Sequence, residues 1–250
     1  MIQEFYDQLS PFYHLLFKDW EASIKNQAKI IDKIILREWG VNHKTIVDVS
    51  CGIGTQAIGL AQLNYEVKAS DLSLEEIKRA KQEAKKRNLK IDFSVADMRK
   101  SFKHHKKQFD ILISCDNSVP HLLTDSDILI AFKEFYNCLK PGGGCIITLR
   151  DYEKENRDGI QVKPYGVKVV DDMKYIIFQT WEFIDDIYNL SMYFVCDNGQ
   201  QEAKTKVFHS KYYAISISKL IELMEIAGFS SVKKIECEFY QPVIIGTRKI

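Results

Sequence analysis

The run TIVDVSCGIGT at residues 45–55 constrains this chain more than any other segment. A β-branched stretch gives way to Gly52 and Gly54, after which QAIGLA returns to a helical apolar spacing. Glycines at such a point supply backbone conformations that side chains oppose, so the segment predicts a strand, a tight turn and a helix. The alternation recurs. EVKAS at 66–70 precedes SLEEIKRAKQEAKKR, IDFSV at 91–95 precedes a basic linker, FDILIS at 109–114 precedes TDSDILIAFKEFYNCLK, and GCIITLR occupies 144–150. Strands alternating with helices build βαβ units, hence an α/β fold with a mostly parallel sheet and helices on both faces. Thr124 followed by Asp127 reads as a capping box, and Pro141-Gly142-Gly143 as the stop of that helix. Upstream, Ala28, Ile31, Ile34, Ile35 and Trp39 share one helical face, so residues 1–44 are expected to form a helical segment packed on the core.

The rhythm breaks after Arg150. KVVDD, KYIIFQTWEF, YNLSMYFVCD and KTKVFHSKYY read as strands separated by DD and DNGQ turns, predicting an antiparallel insertion over 151–213 that serves as a lid on one domain, 1–250. Leu220, Leu223, Met224 and Ala227 then form a helical face stopped by Gly228, and two closing strands are expected at 232–238 and 242–249. Lys plus Arg is 35 against 34 for Asp plus Glu, so neither nucleic acid nor an anionic membrane is expected as a partner. The basic run 78–90 reads as a solvated helix laced by Glu75–Arg79 and Glu83–Arg87 pairs, and 99–107 as a solvated loop. The chain lacks an apolar stretch of about 18 residues, and its start lacks a signal-peptide pattern; a cytoplasmic protein is expected. Six cysteines without a C-x-x-C read as small core residues, and six histidines without an H-x-x-x-H spacing give no expectation of a metal.

Open α/β sheets bind ligands beyond the carboxyl ends of their strands. The first strand ends in Asp48-Val49-Ser50-Cys51-Gly52-Ile53-Gly54, where two glycines admit a ligand to the backbone. The second ends in Ala69-Ser70-Asp71, seventeen residues after Gly54, where an acid would take a ribose diol. Ala57 replaces the third glycine of the dinucleotide fingerprint, which that pattern permits, so a dinucleotide and S-adenosylmethionine (SAM) both fit this far. The third strand ends in Val95-Ala96-Asp97-Met98, a carboxylate and an apolar neighbour suited to an adenine, and the fourth in Ser114-Cys115-Asp116-Asn117-Ser118.

With the Pro-Gly-Gly before the fifth strand, these strand ends make residues 45–150 resemble the class I SAM-dependent methyltransferases, and the closing strand pair resembles the hairpin that ends that fold. The resemblance implies a Rossmann-like, mostly parallel sheet with an antiparallel final strand and an antiparallel β lid. The stretch Asp116-Asn117-Ser118-Val119-Pro120-His121-Leu122, followed by Arg150-Asp151-Tyr152, resembles the glycine/sarcosine N-methyltransferase group, which has an Asn-Ser-x-x-His-Leu loop and an Arg-x-Tyr. Tyr6-Asp7 to Trp20, the insertion, Tyr212 to Ser216 and Phe239 to Pro242 are compatible with bacterial members. SAM as cofactor, S-adenosylhomocysteine as product and a small carboxylated amine as substrate are thereby implied. Ser50, Gly52 and Gly54 would cradle the methionine part, Asp71 beside Leu72 the ribose, Asp97 and Met98 the adenine, and the Cys115 backbone the amino group; Tyr6, Tyr13 and Trp20 either close over them or pack the N-terminal helix on the core. Asn117 and His121 would border the reacting centre, His121 as candidate base. Arg150 would hold the carboxylate, because a guanidinium fork matches it bidentately, and Tyr152 would help position it. Animal members carry a basic residue on a longer N-terminal arm through which they assemble. Here only Lys25 and Lys29 lie in the comparable region, so neither that role nor an oligomeric state carries over.

Methyl transfer to a neutral amine asks chiefly for alignment, desolvation and charge stabilisation; Tyr165, Tyr175 and Trp181 in the lid fit either the exclusion of water from that transfer or a hydrophobic packing layer. Three other classes share parts of the pattern: a SAM-dependent methyltransferase for a thiol, hydroxyl or natural-product amine, a SAM-binding module without catalysis, and a dinucleotide oxidoreductase.

Overall fold

A computed structural model describes residues 2–237 and 239–250. The chain opens with α1 (Ile2–Leu9), a 3₁₀ turn at Tyr13–Leu16, and α2 (Trp20–Trp39). Asp19 caps α2 by accepting the Ala22 N–H, and Gly40, at φ 83°, ends it. The alternating region follows as β1 (Thr45–Asp48), α3 (Thr55–Gln62), β2 (Glu66–Asp71), α4 (Leu74–Lys86), β3 (Asp92–Val95), α5 (Ser101–His105), β4 (Phe109–Ser114), α6 (Asp125–Cys138) and β5 (Leu139–Thr148). Four long strands come next, β6 (Ile160–Val170), β7 (Met173–Ile184), β8 (Ile187–Asp197) and β9 (Lys204–Tyr213). The chain closes with α7 (Ile217–Ile226), β10 (Ser230–Ile235) and β11 (Val243–Thr247).

Among the described residues the strands form two sheets, one in the order β10-β11-β5-β4-β1-β2-β3 and the other β6-β7-β8-β9. In the first, β3, β2, β1, β4 and β5 are parallel and β11 runs antiparallel to β5, the expected Rossmann-like arrangement. Strand order reverses at β1, which lies between β2 and β4, so the ligand crevice opens above the end of β1. Both faces are buried: Ile46 and Ile111 pack under α2, α3 and α4, while Val47 and Leu112 pack under α6 and α7. Each such side chain contributes roughly 1.5–3 kcal/mol by leaving water.

The second sheet is the expected antiparallel lid. Asp171 and Asp172, at φ 48° and 62°, make the tight turn from β6 to β7. Tyr188, Leu190, Met192 and Phe194 alternate inward along β8, and Phe5, Leu9 and Leu15 of the N-terminal segment complete that core. The first segment thus bridges the sheets, with Phe5 and Leu9 against the lid and Asp7 hydrogen-bonded to Ser73 before α4.

Local details differ from expectation for identifiable reasons. The first lid strand starts at Ile160 rather than Lys168, because β7 is long enough to pair with it down to Glu182. Helix α6 stops at Cys138, before Pro141, and the Arg248 guanidinium takes up the Tyr136 and Leu139 carbonyls. Pro141-Gly142-Gly143 therefore lies within the first half of β5 instead of ending a helix. The basic run 99–107 contains α5, whose Phe102 and Lys103 N–H groups donate to Glu134. Arg79 pairs with Glu83, leaving Glu75 to Lys78. The closing strands span 230–235 and 243–247, and Glu238 lies outside the described residues. Cys51, Cys115, Cys138 and Cys145 are buried, Cys196 and Cys237 partly so. Among the described residues no helix is long and apolar enough to cross a membrane.

Helices α2 and α3 touch backbone to backbone at Gly59, where a Cβ would stand 2.4 Å from the Ile24 carbonyl oxygen and 2.7 Å from the Ala28 Cβ. Gly59→Ala is expected to cost about 1–3 kcal/mol by overpacking, read as a lower urea midpoint at unchanged slope.

Candidate active site

The turn after β1 is gripped by the acid that ends β2. Gly52, at φ 50°, donates its N–H to Asp71 Oδ2 at 2.9 Å, and Ser73 donates to Asp71 Oδ1 at 2.9 Å. Burial raises the Asp71 pKa above the usual carboxylate range, opposed by the N–H groups of Ser73, Gly52 and Leu72. A carboxylate offers about four acceptor sites, so Asp71 keeps acceptor capacity beyond these three N–H groups. Below the turn, Asp48 is buried with Oδ2 unpartnered among the described residues, and burial pushes its carboxyl up to about 8.

A cavity of about 250 Å³ lies beyond these strand ends. Ser50, Gly52, Asp71, Leu72, Asp97 and Met98 line it, with Glu76, Ser118 and Asp116, and so do Tyr6, Tyr13 and His121. Burial raises the Asp97 pKa, but hydrogen bonds from the Arg99 side chain and N–H outweigh it and hold the carboxyl below its usual range. Three expected residues lie off this surface. Gly54, at φ 95°, starts α3 against Ile58 and Ala80. Cys115 is buried behind the lining. Trp20 donates its indole N–H to Thr55 Oγ1 at 2.9 Å and lies 5.3 Å from the Arg87 guanidinium, so it packs α2 on α3 rather than covering the cavity.

A second cavity, of about 780 Å³, is lined by Arg150, Tyr165, Gln179, Tyr212, Tyr240 and Gln241. The two cavities share Tyr6, Tyr13 and Asp116. Asp116, at φ 60°, accepts the Tyr13 hydroxyl at 3.1 Å and the Tyr240 hydroxyl at 2.7 Å, which fixes a carboxylate at the junction. Arg150 is half-buried, its guanidinium 5.0 Å from the Trp181 ring and 3.2 Å from the Tyr188 hydroxyl, to which it donates. Among the described residues no carboxylate lies within ion-pair distance of it. A guanidinium so placed offers its fork to an anion entering the cavity.

Asn117 and Tyr152 stand behind Arg150 instead of facing either cavity. The Asn117 side chain accepts the Arg150 N–H at 3.0 Å and donates to the Tyr152 hydroxyl at 2.7 Å, which meets the Tyr188 hydroxyl at 3.3 Å. They fix the backbone that carries Arg150. The expectation for His121 as a base is also corrected. Its Nδ1 lies 3.2 Å from the Lys211 carbonyl, which can only accept, so Nδ1 carries the proton and Nε2 accepts the Tyr6 hydroxyl at 2.6 Å. Burial pulls its pKa down to about 3. Of the expected lid aromatics, Tyr165 and Trp181 surround Arg150, whereas Tyr175 packs against Phe12. Sequence reasoning did not single out Glu76, Tyr188 or Gln241, and it quoted Asp116 without a role. For Asp116 the available signal was its place beside Asn117 at the end of β4.

Residues 46–143 match a family described as "Methyltransferase domain". The chain carries a class I SAM-dependent methyltransferase domain. SAM is its cofactor. This methyltransferase is 24% identical over 214 residues to the glycine/sarcosine N-methyltransferase of Aphanothece halophytica, covering 86% of this chain and 76% of that one. It is 29% identical over 145 residues to the protein of the same name from Parasynechococcus marenigrum, covering 58% of this chain and 50% of that relative. Its fold matches a SAM-dependent methyltransferase from Clostridium acetobutylicum with a TM-score of 0.80 at 19% identity, covering 96% and 98% of the two chains. The cavity beyond β1 fits the cofactor's chemistry: Asp71, Glu76 and Asp97 put carboxyl groups on its wall, and Glu76 Oε1 has no hydrogen-bond partner among the described residues, an acidic lining that a cationic nucleoside would offset.

His121 generates a pH dependence of known sign. Its folded pKa, about 3, lies below the ordinary 6.5, so its contribution to stability is full above pH 6.5 and is lost as pH falls toward 3. Thermal unfolding should show a steeper loss of stability between pH 7 and 5 in the wild type than in His121→Gln.

Proposed function

We propose that this methyltransferase transfers a methyl group from SAM to the amine of a small amino acid or related carboxylated amine, in the glycine/sarcosine manner. The observation that carries this reading is Arg150, a half-buried guanidinium without an acid partner among the described residues, facing a cavity that meets the cofactor cavity at Asp116. The similarity to glycine/sarcosine N-methyltransferases supports it.

In this reading Asp71 with Leu72 receives the ribose, Met98 and Asp97 the adenine, and Ser50 with Gly52 the methionine part. Bound SAM supplies an electrophilic sulfonium methyl. Arg150 binds the acceptor's carboxylate bidentately. Asp116 accepts an N–H of the acceptor amine and turns its lone pair toward the cofactor cavity, an alignment that lowers the barrier by removing rotational freedom. Tyr6 and Tyr13 wall the junction and, with Tyr212, exclude water. Asn117 and Tyr152 act through Arg150 as positioning residues. His121, with its lone pair taken by Tyr6, orders that wall. The amine therefore reaches the site already neutral, and kcat/KM follows the acceptor's own ionisation.

The volume of the second cavity, about 780 Å³, exceeds what a two-carbon amino acid fills. That favours a larger acceptor within the class, and it keeps a second reading in which the nucleophile is a natural-product amine, a hydroxyl or a thiol.

A radiolabelled-SAM assay against glycine, sarcosine, larger amino acids, simple amines and thiols tests the proposal. A carboxylated amine is expected to be methylated, and Arg150→Lys to raise its KM about tenfold or more with a smaller effect on kcat, because a lysine lacks the fork. Equal KM values in the two proteins would remove Arg150 as the anchor.

A further inference from the structure

Glu76 is a buried acid that the proposed reaction leaves unused. It sits in the first turn of α4, 1% exposed, on the wall of the cofactor cavity, and its Oε1 has no hydrogen-bond partner among the described residues. Its other oxygen lies against the Gly52 turn, since a Cβ on Gly52 would stand 2.8 Å from Oε2. The groups facing it are Asp7 from α1, Tyr6 and Tyr13 from the N-terminal segment, Cys51 from the β1–α3 turn, Asp71 from β2 and Asp116 from the loop after β4. None is a cation. Arg99 lines the same cavity but is committed to Asp97 and Asp127, and His121 is neutral there.

Burial first, then the carboxylates of Asp71, Asp116 and Asp7, raise the pKa of Glu76 well above its ordinary range, so the group holds a proton while the cavity lacks a positive charge. SAM carries a sulfonium, an ammonium and a carboxylate, and is net positive. S-adenosylhomocysteine has lost the sulfonium and is net neutral.

We propose that Glu76 makes the cofactor cavity charge-selective: its O–H gives up a proton to solvent as SAM enters, its carboxylate opposes the cofactor's net positive charge, and the proton returns once methyl transfer has removed that charge. The inference rests on the cofactor cavity assigned above and adds to it a proton linkage and a preference for SAM over the spent product. No covalent bond to the cofactor forms or breaks at Glu76. The returning proton removes the stabilising charge and favours product exchange.

Calorimetric titration of wild type and Glu76→Gln with SAM and S-adenosylhomocysteine, between pH 6 and 9 in two buffers of different ionisation enthalpy, tests this. In the wild type, SAM binding should release protons and tighten with rising pH, while product binding is nearly proton-neutral. In Glu76→Gln the proton release should vanish and the preference for SAM should fall roughly tenfold, with product affinity within about threefold of wild type. Proton-neutral SAM binding by the wild type, or an unchanged preference in the variant, would overturn the proposal without touching the cofactor cavity. Asp71→Ala should weaken both ligands alike; if both bind it as they bind the wild type, the cavity assignment fails and this inference with it.

Discussion

One carboxamide ties the two sheets of this protein together. Asn117 follows β4 in a left-handed conformation that asparagine tolerates better than most side chains, at φ 65°. Its side chain holds the backbone of Arg150 after β5 and the hydroxyl of Tyr152, which reaches Tyr188 in the lid. Each such hydrogen bond is worth about 0.5–1.5 kcal/mol net, but leaving the buried amide unpaired would cost more. Its completeness keeps Arg150 aimed and the lid seated. The loop on which Asn117 sits is pinned in turn by Thr148, whose hydroxyl and carbonyl accept the N–H groups of Asp116 and Asn117.

Around that tie the molecule sets two cavities side by side. The one above β1 is walled by carboxyl groups whose pKa values burial has raised at Asp71 and Glu76, an environment completed by a cation. The one under the lid presents the Arg150 guanidinium among tyrosines, with the Trp181 ring against it and Asp116, Asp151 and Glu155 elsewhere on the wall. Tyr6, Tyr13 and Asp116 belong to both, so a methyl donor and an acceptor would meet there. The N-terminal segment supplies two of these three, and its apolar residues Phe5 and Leu9 are buried against the lid core. Its docking and the closure of the site are therefore one packing event.

The parallel core was legible because its signals are local. β-Branched runs, glycine turns and helical spacing repeat within windows of about a dozen residues, and the acids at the ends of β2 and β3 come with those strands. The lid was legible in kind but not in extent: β6 extends eight residues upstream of Lys168 because its partner does, and pairing is not written in either strand alone. The stop of α6 shows the same limit, for its last carbonyls are taken up by Arg248, far along the chain.

Within the site the division follows the range of the interaction. The sequence by itself determined which residues stand at the carboxyl ends of the strands, since chain order and strand period decide that: Gly52, Asp71, Met98, Asp116 and Arg150 all emerge there. Only the tertiary structure decided what each one faces. It turned Trp20 onto Thr55, set Asn117 and Tyr152 behind Arg150, consumed the His121 lone pair at Tyr6, and set Glu76 against the Gly52 turn on the cavity wall. Burial, tautomer and ionisation depend on neighbours brought from distant parts of the chain, and electrostatic energies in a desolvated pocket depend steeply on those distances.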